Sequence, residues 1–306
     1  MGFLSRLKWV ILVAGLAACG GRAPDDDARA EASGIEVTDD AGRKVRLSRP
    51  AGRVVSLIPS ATETLVAIGA ADRVVGRTRY DELPELRDRP SVGGGLNPSM
   101  ETLAGLRPDL VIVWEGERSS ALRPRLEEMG IAVFALAADD TADLFRSIGQ
   151  LGRLTGLERG ADSVAGSIRA QLDSVRASVR GRAVPSLFYV VSTDPPMTAG
   201  PGTFIAQVVQ ISGGRSVFPD VAADWPTVAM EEIVRRDPHV VILPEGEAPV
   251  RTLEALRRAP GWRDLRAVRE GRVFRVPSNL LNRPGPNLGR AARALRDALH
   301  PELAGR

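Results

Sequence analysis

One amphipathic run, set between two regions of alternating strand and helix pattern, constrains this chain more than any other feature. From Leu157 to Val179 (LERGADSVAGSIRAQLDSVRASV) apolar residues recur at Leu157, Ala161, Val164, Ile168, Leu172, Val175 and Val179. Steps of four and three place them in one stripe along one helical face. Gly156 stands before the run and Gly181 after it, as at a helix that starts after a break and stops at a left-handed residue. At 1.5 Å per residue the rod is roughly 34 Å long, about the diameter of a domain. A rod of that length reads as a beam joining two lobes, and 306 residues are enough for two cores.

The flanking patterns predict α/β lobes. Ile35 to Leu47 alternates around Asp39-Asp40-Ala41-Gly42, the pattern of a β-hairpin. Val54, Val55, Leu57 and Ile58 form a strand apolar on both faces, and Ser60, Thr62 and Glu63 open a helix that runs to Ile68. Arg73 to Gly76 predicts a short strand, then a loop (RTRYDELPE) with Arg77, Arg79 and Tyr80. Asn97 can cap a helix with Pro98 at its first position. Further strands are predicted over Leu110–Trp114 and Ile131–Leu136, with a helix over Ser119–Met129 between them. Beyond the beam the strands are Ser186–Val191, Val240–Leu243 and Val273–Val276. The helices there are Thr203–Ile211, Met230–Arg235, Thr252–Arg258 and, capped by Asn287, Leu288–Leu299. Strands alternating with helices at this spacing imply parallel sheets covered on both faces.

The two halves also share sequence. At an offset of 130, METLAGLRPDLVIVWEGE (Met100 to Glu117) lies over MEEIVRRDPHVVILPEGE (Met230 to Glu247) with eight identities in 18 ungapped positions. Equivalent helix–strand units in the two lobes are suggested by this; convergence of two ordinary βα patterns is the alternative, but it would not require the identical flanking Met-Glu and Glu-Gly-Glu.

The amino terminus bears on location. Arg6 and Lys8 precede a short apolar run from Trp9 to Ala18, too short for a spanning helix and fitting a signal peptide. The run Leu16-Ala17-Ala18-Cys19 resembles a bacterial lipobox, which makes Cys19, the only cysteine, the expected lipid-bearing residue. Residues 20–33 are small, polar and acidic, a flexible tether. The expected organisation is a signal over 1–18, a tether over 19–34 and a first lobe over 35–140. Connecting helices over 141–181 include the beam, and a second lobe spans 182–306. Without the first 18 residues the chain carries 39 basic and 38 acidic side chains, a balance that gives a nucleic-acid partner little electrostatic support.

Catalytic patterns are missing. There is no Gly-x-Ser-x-Gly elbow and no Walker loop, and Gly93-Gly94-Gly95 lacks the third glycine of a dinucleotide fingerprint. His239 and His300, the only histidines, begin a strand and end a helix. Surface roles are expected for both, with no metal shared between them. Loops at the carboxyl ends of parallel strands are where such sheets bind ligands. Here they carry Ser60, Tyr80, Trp114, Asn279 and Arg283, and Trp225 lies on a long loop from Phe218 to Thr227. With 4% aromatic residues, three polar-tipped aromatics on loops favour a binding cleft. Arg77, Arg79 and Arg283 add donors for carboxylates, phosphates or amides.

A lipobox, RVVSLIPSATETLVAIGAADRVVG, RTRYDELPE, PSVGGGLNPSMETLAGLRPDLVIVWEG and the beam together resemble the helical-backbone class of substrate-binding proteins of ABC importers. The cobalamin-binding branch is the nearest match, with ferric-siderophore and haem binders as its relatives. The resemblance spans roughly Ile35 to Leu299. It implies two Rossmann-like α/β lobes with the ligand cleft between them, no cofactor, no catalysis, and a monomer facing the periplasm that delivers cargo to a permease dimer with its ATPase. It also implies that Tyr80, Trp114, Trp225 and Arg283 line the cleft, with Asn279 where the branch has an aspartate. Glu101 and Glu231 fall on the glutamates, one per lobe, that dock on permease arginines. Gly93-Gly94-Gly95 stands where the branch has a tryptophan, and Leu280-Leu281 where it has an aromatic pair. Cobalamin or a related corrinoid is the expected cargo, with a ferric siderophore or haem as the alternative. An extracytoplasmic α/β hydrolase or transferase built on Ser60, and a lipoprotein reporting to a sensor, are the readings from other classes.

Overall fold

The structure, a computed structural model, describes residues 34–116, 119, 121–245 and 252–305. The signal segment, Cys19 and the tether up to residue 33 lie outside them, as do Glu117, Gly246 and Glu247 of the internal repeat.

A hairpin comes first, β1 (Ile35–Thr38) antiparallel to β2 (Lys44–Leu47). The first lobe continues through β3 (Val54–Ser56), α1 (Pro59–Ala67), β4 (Val74–Gly76), α2 (Met100–Leu106), β5 (Leu110–Trp114), α3 (Arg123–Glu128) and β6 (Ala132–Leu136). Helices α4 (Thr141–Thr155) and α5 (Glu158–Ser178) lead to the second lobe. There β7 (Ser186–Tyr189) is followed by β8 (Ser192–Thr193), β9 (Pro196–Met197), α6 (Phe204–Ile211) and β10 (Arg215–Ser216). Then come α7 (Met230–Arg236), β11 (Val240–Glu245), α8 (Leu253–Arg258) and α9 (Arg266–Arg269). The chain closes with β12 (Val273–Pro277), α10 (Ser278–Leu281) and α11 (Leu288–Leu299).

Both four-stranded sheets are parallel and follow one plan, β4-β3-β5-β6 in the first lobe and β10-β7-β11-β12 in the second. The repeated segments, α2 with β5 and α7 with β11, occupy equivalent places. Their backbones agree as well: α2 ends on Arg107 at φ 44° and α7 on Asp237 at φ 41°, the same offset apart. Among the described residues these are the only non-glycine positions with positive φ. A left-handed residue with a Cβ costs of order 1–2 kcal/mol, so its presence at both equivalents argues for a duplicated unit over two convergent βα patterns.

Side-chain alternation along the strands sorts the apolar residues into cores. Leu110, Ile112, Phe134 and Leu136 of the first sheet, and Leu187, Tyr189, Val240 and Ile242 of the second, belong to one continuous cluster. The opposite faces build separate outer cores around Val111, Val113 and Val133 in one lobe and Phe188, Val241 and Leu243 in the other. The beam α5 buries Ala161, Ala165, Ile168, Leu172 and Val175 in the shared cluster, each large side chain contributing roughly 1.5–3 kcal/mol. Two glycines let its neighbours approach. A Cβ on Gly152 of α4 would lie 2.6 Å from that of Ala161, and one on Gly289 of α11 would lie 2.6 Å from that of Gln171. The lobes are thus two sheets sharing one inner core, and residues 35–306 form one compact unit.

Local expectations needed three corrections. The helix expected to start at Pro98 starts two residues later, because Pro98 bridges Gly93 in an antiparallel pair; Ser99 is the cap, its Oγ accepting from the Thr102 amide at 3.2 Å. Asn287 stands at the start of α11 but makes no side-chain cap; its amide reaches another partner, described below. His300 is buried at 4% exposure rather than on the surface, beside Gly213, where a Cβ would meet its Nε2 at 2.7 Å.

Candidate functional site

The carboxyl ends of the strands deliver the polar loops that the sequence suggested. After β4 the chain turns through Thr78–Asp81, where Asp81 Oδ2 accepts from the Thr78 amide at 2.7 Å and from Thr78 Oγ1 at 2.8 Å. The Arg79 amide donates to the Gly93 carbonyl at 2.9 Å, which ties the loop to the glycine-rich turn. So anchored, the loop presents Tyr80 to solvent at 53% exposure, with the Arg79 guanidinium 5.9 Å from the ring centroid. Arg77 instead turns inward onto the carbonyls of Thr78 and Asp81. In the second lobe β12 ends at Pro277, and the short α10 places Ser278 and Asn279 at the same opening.

A cavity of about 670 Å³ lies between these loops, lined by Arg79, Tyr80 and Glu82 from the first lobe and by Glu245, Pro277, Ser278, Asn279 and Arg283 from the second. A neighbouring cavity of about 400 Å³ shares Glu82, Pro277, Asn279 and Arg283 and adds Glu63, Asn287 and Arg290 among others. Tyr80, Asn279 and Arg283 are therefore brought together across the cleft. Trp114 is half-buried at the end of β5 and lines a separate cavity of about 370 Å³ with Arg43, Glu115 and Arg123. Trp225 is 45% exposed on a loop held to the second lobe, where the Gly200 amide donates to the Asp224 carbonyl and the Thr198 amide to the Pro226 carbonyl. It lines none of these cavities. Ser60 is 4% exposed beneath Gly285, whose Cβ position lies 3.5 Å from the Ser60 carbonyl oxygen, so its expected place on the cleft surface is corrected to a buried one.

Sequence reasoning missed Glu63 as a site residue, reading it only as a helix opener. Its Oε1 accepts from Arg283 Nη1 at 2.8 Å and its Oε2 from Asn287 Nδ2 at 3.4 Å. Burial pushes the Glu63 carboxyl above the ordinary 4.5; the bonds from Arg283 and Asn287 pull against that rise, and the Asp81 charge adds to it. The folded chain holds this proton more tightly than the unfolded chain. The site therefore favours folding fully below about 4.5, a contribution lost as pH rises through the folded value. A carbon-detected NMR titration of the folded chain is expected to place the Glu63 midpoint above the ordinary glutamate value; a midpoint at or below that value would contradict this account.

At the opposite, β6 side of the cleft, Asp139 is also raised, first by burial and then by the charges of Asp143, Asp224, Glu115 and Asp140. His239 and His300 share a cavity with Arg182 and Glu302 at the amino-terminal end of the second sheet. No three His, Cys, Asp or Glu side chains among the described residues are grouped to hold a metal. Glu101 and Glu231 lie in the first turns of α2 and α7, both exposed.

The sequence profile of the periplasmic binding protein family matches residues 54–280. An uncharacterized ABC transporter substrate-binding lipoprotein of Bacillus subtilis, YvrC, is 28% identical over 298 residues, covering 94% of this chain and 93% of that one. A cobalamin-binding protein of Halobacterium salinarum is 30% identical over 273 residues, covering 86% and 73%. Among solved structures, a possible iron-binding periplasmic solute-binding protein of Staphylococcus epidermidis superposes with a TM-score of 0.73 at 27% identity, over 82% of this chain and all of that one.

Proposed function

This chain belongs to the periplasmic binding protein family, and we propose that it is a lipid-anchored receptor that captures cobalamin or a related corrinoid between its lobes and delivers it to an ABC permease. Its relatives bind solutes for transporters and are not enzymes. The carrying observation is the state of the aromatic side chains. Among the described residues Tyr80 and Trp225 are the only aromatics in the set of exposed large hydrophobic side chains, and neither is needed to fill a core. A large apolar ring left in water on an anchored loop is expected where a ligand covers it. Tyr80 faces Asn279 and Ser278 across the larger cavity, a mixture of ring surface with amide and hydroxyl groups that suits a flat macrocycle fringed by amides. The 30% identity to a cobalamin-binding protein supports the same cargo. Lipidation at Cys19 accords with the lipoprotein relative; no helix among the described residues is long and apolar enough to cross a membrane.

The second reading is a ferric-siderophore or haem receptor, favoured by the likeness to the possible iron-binding protein and by Arg79 in the cavity wall. It is weakened by the engagement of Arg283 with Glu63, which leaves fewer free donors for an anionic chelate. Calorimetric titration of the soluble chain from Gly20 with cyanocobalamin separates the two. A saturable one-to-one isotherm of submicromolar affinity is expected, falling at least tenfold in Tyr80→Ala. No heat at tens of micromolar protein, at two temperatures, overturns the corrinoid and directs the search to ferric chelates.

A further inference from the structure

The segment after β12 crosses from the second lobe onto the first. Arg283 donates through Nη1 to Glu63 on α1 at 2.8 Å and through Nη2 to the Tyr80 carbonyl at 3.1 Å. Asn287 adds a 3.4 Å contact to the other oxygen of the same carboxylate. Gly285, between them, lies against α1 so closely that a Cβ there would stand 3.6 Å from Glu63 Oε2. Glu63 is 9% and Arg283 23% exposed in the pair. On the far side of the cleft the lobes are tied where the Phe204 amide donates to the Asp139 carbonyl and the Thr141 amide to Gln207 Oε1. That side is the covalent crossover, where α4 and α5 carry the chain from one lobe to the other. The Glu63–Arg283 pair stands at the other side, where β4 and β12 are the edge strands and where no chain connection holds the lobes together.

We propose that Glu63 and Arg283 form a clasp between the lobes that sets the width of the cleft and the placement of Tyr80. Arg283 is thereby a positioning residue, acting on the ligand through the Tyr80 backbone. A planar guanidinium suits this task because its donors point in fixed directions, one set to the carboxylate and one to the carbonyl. A buried ion pair adds little net stability, yet separating the lobes breaks the charge-assisted bonds of one guanidinium to the carboxylate and to the carbonyl together. The clasp rests on the two-lobed cleft and not on the identity of the cargo.

The test is made on the ligand-free chain. With Cys19→Ser removing the only cysteine, Arg125→Cys on α3 and Glu254→Cys on α8 place one spin label on each lobe at exposed positions, and pulsed dipolar spectroscopy reads the distance between them. A narrow distribution is expected in the parent. Arg283→Met and Glu63→Ala should each broaden it and lengthen its mean by a few ångströms, and the double variant should do no more than either single one, because all three lose the same contact. Arg283→Lys keeps the charge and the fold but cannot grip both partners, and is expected to fall between. Unchanged distances in Arg283→Met and Arg283→Lys, with native circular dichroism, or strictly additive effects in the double variant, overturn the clasp. Failure of cyanocobalamin to bind leaves this result untouched.

Discussion

Replacing Glu101 and Glu231 together by arginine is expected to abolish uptake of the cargo into cells while leaving its affinity for the purified chain unchanged. Each glutamate sits in the first turn of a seven-residue helix, α2 or α7, that leads through a left-handed residue into the third strand of its sheet. Both are exposed, neither makes an ion pair among the described residues, and neither lines the cavities between the lobes. Folding therefore gives these carboxylates no visible task. Two matched acids on duplicated units present one negative charge per lobe, the arrangement that a two-fold symmetric partner with basic side chains would meet. Losing one such buried charge pair costs about 2–5 kcal/mol, and reversal adds repulsion, so the double reversal weakens docking by well over a thousandfold. Single reversals should reduce uptake partially and to similar extents if the two sites are equivalent. Measured with labelled cyanocobalamin in cells, unchanged uptake by the double variant removes both residues from the docking surface. A parallel loss of affinity in the purified chain would mean instead that the reversal disturbs the cleft.

Asp39→Ala is expected to destabilise the fold by about 3–5 kcal/mol. The Asp39 side chain is fully buried and pairs with Arg123, which is 7% exposed. Its oxygens also accept from the amides of Arg43 at 2.8 Å and Ala135 at 3.2 Å. Arg123 in turn donates to the Val133 carbonyl at 3.1 Å. One carboxylate thus joins the turn of the first hairpin to α3 and to β6. Removing it strands a guanidinium that has almost no water, while Glu127, 3.4 Å away and half-exposed, replaces only part of the lost charge. The double variant Asp39→Ala/Arg123→Met removes both charges and is expected to recover most of the loss. Urea unfolding at unchanged m-value reads both; a loss below about 1 kcal/mol in the single variant would sink the argument, since that is the range of an exposed pair.

These two predictions differ in how far the sequence reached them. Glu101 and Glu231 were visible as a matched pair because the repeat is written in consecutive residues and needs no structure to align. Asp39 was legible only as a turn residue of an Asp-Asp-Ala-Gly hairpin, a role that any acid in that pattern fits. Its burial depends on β6 and α3, whose arrival at that turn is a property of the assembled lobe. The cleft divides in the same manner. Tyr80 and Asn279 were found because strand ends are predictable and α/β sheets bind ligands there. Trp114 also ends its strand, but it lines a different cavity, and Ser60 is covered by a glycine segment more than 200 residues away in the chain.

What the sequence determined by itself was the local alphabet of the fold: the hairpin, the apolar parallel strands, the beam, read as Leu157 to Val179 and folded as Glu158–Ser178, and the doubling of the lobe. The first three are set by periodicity or turn chemistry within a window of about 5 to 20 residues, where neighbours in sequence are neighbours in space; the doubling was legible because its two copies align without a gap. The tertiary structure alone decided which side chains meet. The Glu63 and Arg283 side chains are 220 positions apart, and the energy of their pairing depends on distance and on exclusion of water, neither of which is encoded near either residue. The merging of the two inner cores around α5 follows from the same cause: side-chain contact is a property of packed surfaces, and these exist only once the chain has folded.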